Sequence, residues 1–335
     1  MSLSKLVSRL VHRFSIFKLL FIRASSFDTS VVTHYRLTAK RDGLRNPYPN
    51  QFRMTLATYF AGIDVGSAMT KAVILNRGII ASVIGPTGPE QRRLANKVME
   101  EALNRAVLSF QSITYIVSTG YGRINVPFAD GQFTEITCHA KGIKTLFPKA
   151  KTVIDIGGQD IKAIRIDTTG KIIDFVMNDK CAAGSGRFIE VIADTVGVPL
   201  DQVGDRSLQS KNPAKISNIC TIWAQQEVAA SLAQGVPISD LLAGVHHSLA
   251  DRICRLVNRL RVEEEIVVTG GGAENKGLLK ALSEQLGREI RVPEDPLITG
   301  ALGAALLGKE IVEKAKQNHT PLKTKERILE EIEIL

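Results

Sequence analysis

Asp64 and Asp155 are set in matching surroundings. Asp64 closes the run Tyr59-Phe60-Ala61-Gly62-Ile63 and leads into Val65-Gly66-Ser67-Ala68-Met69-Thr70-Lys71-Ala72-Val73. Asp155 closes Val153-Ile154 and leads into Ile156-Gly157-Gly158-Gln159-Asp160-Ile161-Lys162-Ala163-Ile164. Both segments read Asp-[Val/Ile]-Gly, four residues, then Lys-Ala-[Val/Ile]. The chemistry this pattern suits is phosphate handling. Backbone N–H groups of a small turn approach an anion closely where glycine leaves room. A carboxylate beside such a turn can hold a Mg2+ that carries phosphate oxygens, usually through water. Two such turns facing each other would clamp a nucleoside triphosphate from both sides. Candidate contacts are Asp64, Gly66, Ser67 and Lys71 on one side, and Asp155, Gly157, Gly158 and Gln159 on the other. Neither is a Walker A loop, because Lys71 and Lys162 are followed by alanine and no helix opens there.

The elements that must position these residues follow from the pattern. In each case two β-rich runs flank a small polar turn, which predicts a hairpin rather than a strand followed by a helix. The repeat predicts two halves that are structural copies. Lys71 and Lys162 either approach phosphates or lie exposed on the hairpins. A third signal is Ile266-Val267-Val268-Thr269-Gly270-Gly271-Gly272, an apolar strand running into three glycines, with a helix following through Leu278 and Leu282. Bare backbone at such a turn lets a flat ligand sit close. Coming after two phosphate-type turns, Gly270, Gly271 and Gly272 are expected to meet adenine or ribose.

Cys181 and Cys220 each stand just ahead of a helical pattern, a position that lowers a thiol pKa and favours a thiolate ligand. Two cysteines cannot complete a four-thiolate site, but a two-fold dimer would double them. From spacing alone, two buried small residues remain the commoner outcome. Cys254 falls in a helical run and reads as core. His246 and His247 lie in an amphipathic helix and are expected to face solvent rather than a metal.

Asp64-Val65-Gly66, Asp155-Ile156-Gly157-Gly158 and Gly270-Gly271-Gly272 resemble the first phosphate, second phosphate and adenosine motifs of the actin, sugar-kinase and chaperone-ATPase superfamily. The resemblance implies an α/β fold of two duplicated actin-like (ribonuclease H-like) domains, each with a five-stranded mixed sheet, and ATP in the interdomain cleft. Residues 54–136 with 299–330 would form one domain and residues 137–298 the other. The hinge would be the helix after Thr134 and the small-residue run from Thr299 to Leu306. Glu135 or Gln159 would orient the attacking water.

Asn178-Asp179-Lys180-Cys181-Ala182-Ala183-Gly184-Ser185-Gly186-Arg187-Phe188, with Ser118-Thr119-Gly120-Tyr121-Gly122-Arg123, is more specific still. These segments resemble the activators of 2-hydroxyacyl-CoA dehydratases, a family that includes the ATPase subunits of benzoyl-CoA reductase. That resemblance implies a cytoplasmic homodimer bridged by one 4Fe-4S cluster, with Cys181 and Cys220 as ligands from each subunit. ATP hydrolysis would drive a low-potential electron from a ferredoxin or flavodoxin onto an acyl-CoA dehydratase or reductase. Where the family commonly reads Thr-Val-Phe-Ala-Glu-Ser-Glu, this chain has Thr221-Ile222-Trp223-Ala224-Gln225-Gln226-Glu227. The competing readings are a small-molecule kinase of the same fold, which leaves both cysteines without a task, and a nucleotide-sensing regulator.

Charge does not point elsewhere. The chain carries a formal +9, but residues 1–53 hold ten Lys/Arg against two Asp/Glu. The basic character therefore belongs to a leader, and a nucleic-acid partner is not indicated by the charge of the rest. That leader is amphipathic and free of acid before Asp28, and reads as sequence ahead of a start at Met54, as a targeting presequence or as a membrane-surface helix. No apolar run is long enough to span a bilayer, and the four cysteines match no zinc pattern and are too few for a disulfide scaffold.

Overall fold

The computed structural model describes residues 58–178, 182–217 and 220–329. Two five-stranded sheets form its frame. The first contains β1 (Tyr59–Val65), β2 (Met69–Leu75), β3 (Ile79–Pro86), β4 (Ile113–Thr119) and β5 (Gly131–Gln132) in the order β3-β2-β1-β4-β5. The second contains β6 (Thr152–Ile156), β7 (Ile161–Ile166), β8 (Ile172–Met177), β9 (Ile266–Thr269) and β10 (Ile290–Arg291) in the order β10-β9-β6-β7-β8. Taken from the hairpin edge inward, both run third, second, first, fourth, fifth. In both, the first strand is antiparallel to the second and parallel to the fourth. The expected pair of mixed five-stranded sheets is present, with the same topology in each.

Composition explains strand position. β1, β6 and β9 are apolar almost throughout and buried on both faces, as central strands covered by helices must be. β8 carries Asp174 and leaves Ile173, Phe175 and Met177 partly open, and it takes the edge.

Eight helices are described: α1 (Gln91–Ala106), α2 (Glu135–Leu146), α3 (Gly186–Val196), α4 (Leu200–Ser207), α5 (Thr221–Ala233), α6 (Ile238–Val257), α7 (Lys276–Leu286) and α8 (Thr299–Gln317). α1 covers one face of the first sheet and α8 the other. α2 packs on β6 and β7, while α3 to α7 bury the largest apolar cluster on the opposite face of the second sheet. α2 and α8 also pack on each other, so these two helices lie between the sheets.

Small residues permit that layering, as the run from Thr299 predicted. A β-carbon at Gly303 of α8 would strike the Cys138 carbonyl of α2, and one at Gly142 of α2 would strike the Thr299 carbonyl of α8. Gly62 of β1 meets α8 backbone in the same way. Any larger side chain would separate the layers.

After α8 the chain returns to the first sheet. Arg327 makes two bonds to Asp130, Nη1 to Oδ1 at 2.9 Å and Nη2 to Oδ2 at 2.6 Å, and also donates to the Ile113 and Thr114 carbonyls. The Asp130 side chain is fully buried. Removing the guanidinium strands a buried carboxylate, a change that typically costs 3–5 kcal/mol. Arg327→Ala is therefore expected to lower unfolding stability by about 3 kcal/mol in a denaturant titration. A change under about 0.5 kcal/mol, the range of ordinary surface substitutions, would contradict this.

Candidate functional site: a two-walled anion cleft

The hairpin register fixes the first feature of the site. Asp64 pairs directly with Lys71 and Asp155 with Lys162. Lys71 Nζ lies 3.2 Å from Asp64 Oδ2, and Lys162 Nζ lies 3.3 Å from Asp155 Oδ2. Both aspartates are buried. Each turn closes with the same bond, Gly66 N–H to the Met69 carbonyl and Gly157 N–H to the Asp160 carbonyl.

The two turns meet. A β-carbon on Gly158 would lie 3.1 Å from the Ala68 β-carbon and 3.6 Å from Ser67 Oγ. Behind them opens a cleft of about 990 Å³. Every residue assigned to the nucleotide from sequence lines it: Asp64, Gly66, Ser67 and Lys71 on one wall, Glu135, Asp155, Gly157, Gly158 and Gln159 on the other, and Gly270 to Gly272 beyond.

The duplication extends further than the hairpins. Thr119 of β4 pairs with Asp64, and Thr269 of β9 pairs with Asp155. The next residues, Gly120 and Gly270, have φ of 85° and 80°. At both, a β-carbon would collide with the aspartate of its own sheet. Only glycine fits such a turn. The sequence signal is Thr-Gly-x-Gly, present at Thr119-Gly120-Tyr121-Gly122 and Thr269-Gly270-Gly271-Gly272. The copies differ at the third position, where Tyr121 projects a largely exposed ring and Gly271 offers bare backbone.

The lysines are not equivalent. Lys162 is buried, which removes the alternative that it lies exposed on its hairpin. Its Nζ is 2.6 Å from Asp160 Oδ1 and 3.5 Å from Glu135 Oε1, besides Asp155. Burial opposes its charge, but Asp155, Glu135 and Asp160 outweigh burial and hold the ammonium well above the usual lysine range. Lys71 is partly open to the cleft and is paired with Asp64.

Glu135 opens α2 behind an N-cap in which Thr134 Oγ1 accepts from Thr137 N–H at 3.3 Å. Burial pushes its carboxyl up, partly offset by Lys162. One turn on, His139 Nε2 stands 3.6 Å from Asp155 Oδ2 and Nδ1 stands 2.9 Å from Thr299 Oγ1. Burial opposes the charge of Asp155, yet His139, Lys162 and Lys71 together hold it below the usual carboxylate range. A β-carbon on Gly300 would lie 3.1 Å from Asp64 Oδ2 and 3.2 Å from His139 Nε2, so the first turn of α8 sits between the two aspartates. The role of His139 is not legible in sequence because its partners Thr299 and Asp155 lie on other elements, whereas Asp160 lies two residues from its partner Lys162 in the same hairpin.

Four carboxylates, Asp64, Asp155, Asp160 and Glu135, therefore face two lysines. The excess negative charge suits a divalent cation. Among the described residues no group of three or more His, Cys, Asp or Glu is arranged to hold a metal. The donor set fits Mg2+, which keeps most of its waters and takes one or two carboxylates with substrate phosphates.

The thiols separate by environment. Cys181 lies outside the described residues. Cys220 is partly exposed at the N-cap of α5. Burial pushes the Cys138 thiol up to about 12 and the Cys254 thiol up to about 11. The approach to Cys220 is fixed where Ser217 N–H donates to Glu227 Oε2 at 2.7 Å. Asn178 ties the end of β8 to the residues ahead of α3, its Oδ1 accepting from Ile161 N–H and its Nδ2 donating to the Gly184 carbonyl. The second phosphate-type turn is joined to the start of α3. Gly186 N–H donates to the Gly157 carbonyl at 2.9 Å and Arg187 N–H to the Gly158 carbonyl at 3.0 Å.

Residues 61–308 match the BadF/BadG/BcrA/BcrD ATPase family. The chain belongs to that family. Among curated members it is 45% identical over 263 residues to the activator of lactoyl-CoA dehydratase from Anaerotignum propionicum, covering 76% of this chain and 99% of that one. It is 40% identical over 272 residues to the 2-hydroxyisocaproyl-CoA dehydratase activator of Clostridioides difficile, covering 79% and 99%. A solved structure of the activator of the 2-hydroxyisocaproyl-CoA dehydratase from Clostridium difficile, with bound ADPNP, matches with a TM-score of 0.75 and 38% identity, over 79% of this chain and all of that one. No helix among the described residues of this family member is long and apolar enough to cross a membrane.

Two outcomes are expected. Lys162→Met keeps the apolar stem but strands three carboxylates, so it should lower unfolding stability by about 3 kcal/mol, whereas Lys71→Met should cost about 1 kcal/mol. Equal losses would contradict the asymmetry. In metal-free native protein at pH 8, iodoacetamide should label Cys220 and spare Cys138 and Cys254, read by peptide mass spectrometry. Labelling of either buried thiol at a rate like that of Cys220 would overturn its assignment as inert core.

Proposed function

We propose that this chain is an ATP-hydrolysing activator that hands a low-potential electron to an acyl-CoA dehydratase or related reductase. The observation that carries the reading is the contact between the two aspartate-bearing turns across one cleft. It is supported by family membership and by an ADPNP-bound structure of a relative.

In this reading the halves 54–136 with 299–330 and 137–298 act as two actin-like domains. Backbone N–H groups of Ser67 and Gly158 take the phosphates, Gly66 and Gly157 close the turns that present them, and Gly270 to Gly272 take the adenosine. Asp64 and Asp155 hold hydrated Mg2+, which supplies charge neutralisation at the phosphates. Lys71 is the lysine free to turn toward a phosphate, because Lys162 is committed to three carboxylates. Glu135 and Gln159 orient the water that attacks the terminal phosphate. Lys162 is a positioning residue for Glu135.

The cysteines fit a cluster shared by two subunits. Cys220 is partly exposed at a helix N-terminus, where a ligand from outside the chain can reach it. Cys181 and Cys220 from each of two chains would supply four thiolates to a 4Fe-4S cluster, whose chemistry is one-electron transfer. The apolar residues Ile222 and Trp223 after Cys220, and Phe175 and Met177 before Cys181, are exposed in the single chain and suit a dimer or partner contact. The bonds from Gly157 and Gly158 to Gly186 and Arg187 give the phosphate end of the cleft a direct hold on α3, the helix that follows Cys181 in sequence. One electron arrives from a ferredoxin- or flavodoxin-type donor and leaves for the dehydratase while ATP and water become ADP and phosphate, all in the cytoplasm.

Anaerobic purification with iron and sulfide analysis tests this. About four irons per dimer are expected, and Cys220→Ala should lose them while still binding nucleotide. Iron-free protein that phosphorylates a small molecule would overturn the reading.

A further inference from the structure

His246 is a deeply buried titratable side chain that the proposed chemistry does not use. The expectation that it faces solvent is corrected: it is 1% exposed, while its neighbour His247 is open. Burial pulls its imidazole down to about 3. The ring is therefore neutral at any ordinary pH, with one donor and one acceptor.

The proton positions are forced. Asn275 caps α7, its Oδ1 accepting from Leu278 N–H at 3.0 Å. The other end of that amide is then Nδ2, which only donates, and it lies 3.0 Å from His246 Nε2. Nε2 must accept, so the proton sits on Nδ1. Nδ1 lies 2.9 Å from Ser207 Oγ, and Ser207 Oγ donates to the Gly204 carbonyl at 2.7 Å. The chain runs one way, from Asn275 through His246 and Ser207 to Gly204.

Its two ends are both wall of the cleft. Gly204 of α4 and Asn275 ahead of α7 line the cavity beside Gly271 and Gly272, while His246 and Ser207 stand behind the wall. There is no slack between the elements. A β-carbon on Gly204 would lie 2.9 Å from Asn275 Oδ1, and one on Gly277 would strike Ser207 Oγ.

We propose that His246 is a positioning residue that sets the spacing of α4 and the α7 N-terminus, and thereby the affinity of the cleft for the nucleoside half of its nucleotide. The proposal rests on the reading of Gly270 to Gly272 as the adenosine end. An apolar side chain in place of the imidazole leaves the Asn275 amide without its acceptor and frees the two walls to separate.

The test compares two ligands with the same phosphate chain, ADP and inorganic pyrophosphate, by calorimetric titration of the full-length protein with Mg2+. Wild type is expected to bind ADP more tightly than pyrophosphate. His246→Leu should weaken ADP about tenfold, the effect of one stranded buried polar group, and leave pyrophosphate unchanged. His246→Gln, whose side-chain oxygen can still accept from Asn275, should restore ADP binding to within about threefold of wild type. If His246→Leu fails to fold, Ser207→Ala carries the same comparison with the same direction. Unchanged ADP affinity, or equal losses for both ligands, overturns the role of His246. Wild type that binds both ligands equally overturns the reading of the adenosine end, and this inference with it.

Discussion

A carboxylate at the inner end of a buried strand must be neutralised, because an isolated charge away from water is very costly. Here the hairpin register does it twice, by placing a lysine directly across from each aspartate. Lysine and aspartate on the two strands of a tight hairpin also fix the turn between them. The turn's free N–H groups and the carboxylate are therefore built as one unit. The two units face each other, and Asp160 and Glu135 add two further carboxylates, so the cleft holds more carboxylate than lysine. That excess of carboxylate over lysine suits a divalent cation.

The rest of the architecture serves that confrontation. α2 and α8 lie between the sheets at glycine-to-backbone contact, and their first turns carry Glu135, His139, Thr299 and Gly300 into the space between the aspartates. Thr299 Oγ1 is 2.6 Å from Thr269 Oγ1, so the start of α8 is bonded to the strand that ends in the third glycine turn. The two sheets differ in how tightly their lysine is held. The first leaves Lys71 one carboxylate, while the second commits Lys162 to three. The second sheet's turn is also the one hydrogen-bonded to α3.

The hairpins, the third glycine turn and the small-residue helix were legible because each is written locally. Asp and Lys seven apart around a small turn become a cross-strand pair, and alternate small residues become a close helix crossing. What the sequence hid lies in contacts between distant elements. The Thr119-Gly120 turn is a copy of Thr269-Gly270, but Tyr121 in place of Gly271 masks the repeat. Lys162 looked like a hairpin surface residue because nothing nearby shows that α2 covers it with Glu135. His246 and His247 look alike in a helical pattern, yet α6 is packed on several sides, and only one of them reaches solvent.

We propose that Asp64 and Asp155, from separate sheets, act on one bound metal–nucleotide. A double-mutant cycle on Mg-ADPNP affinity tests it most directly, using Asp64→Asn, Asp155→Asn and the pair, with and without Mg2+. Mg-dependent, non-additive losses are expected, with a coupling of about 1 kcal/mol or more between the two positions. Additive losses, or losses that persist unchanged without Mg2+, would contradict it.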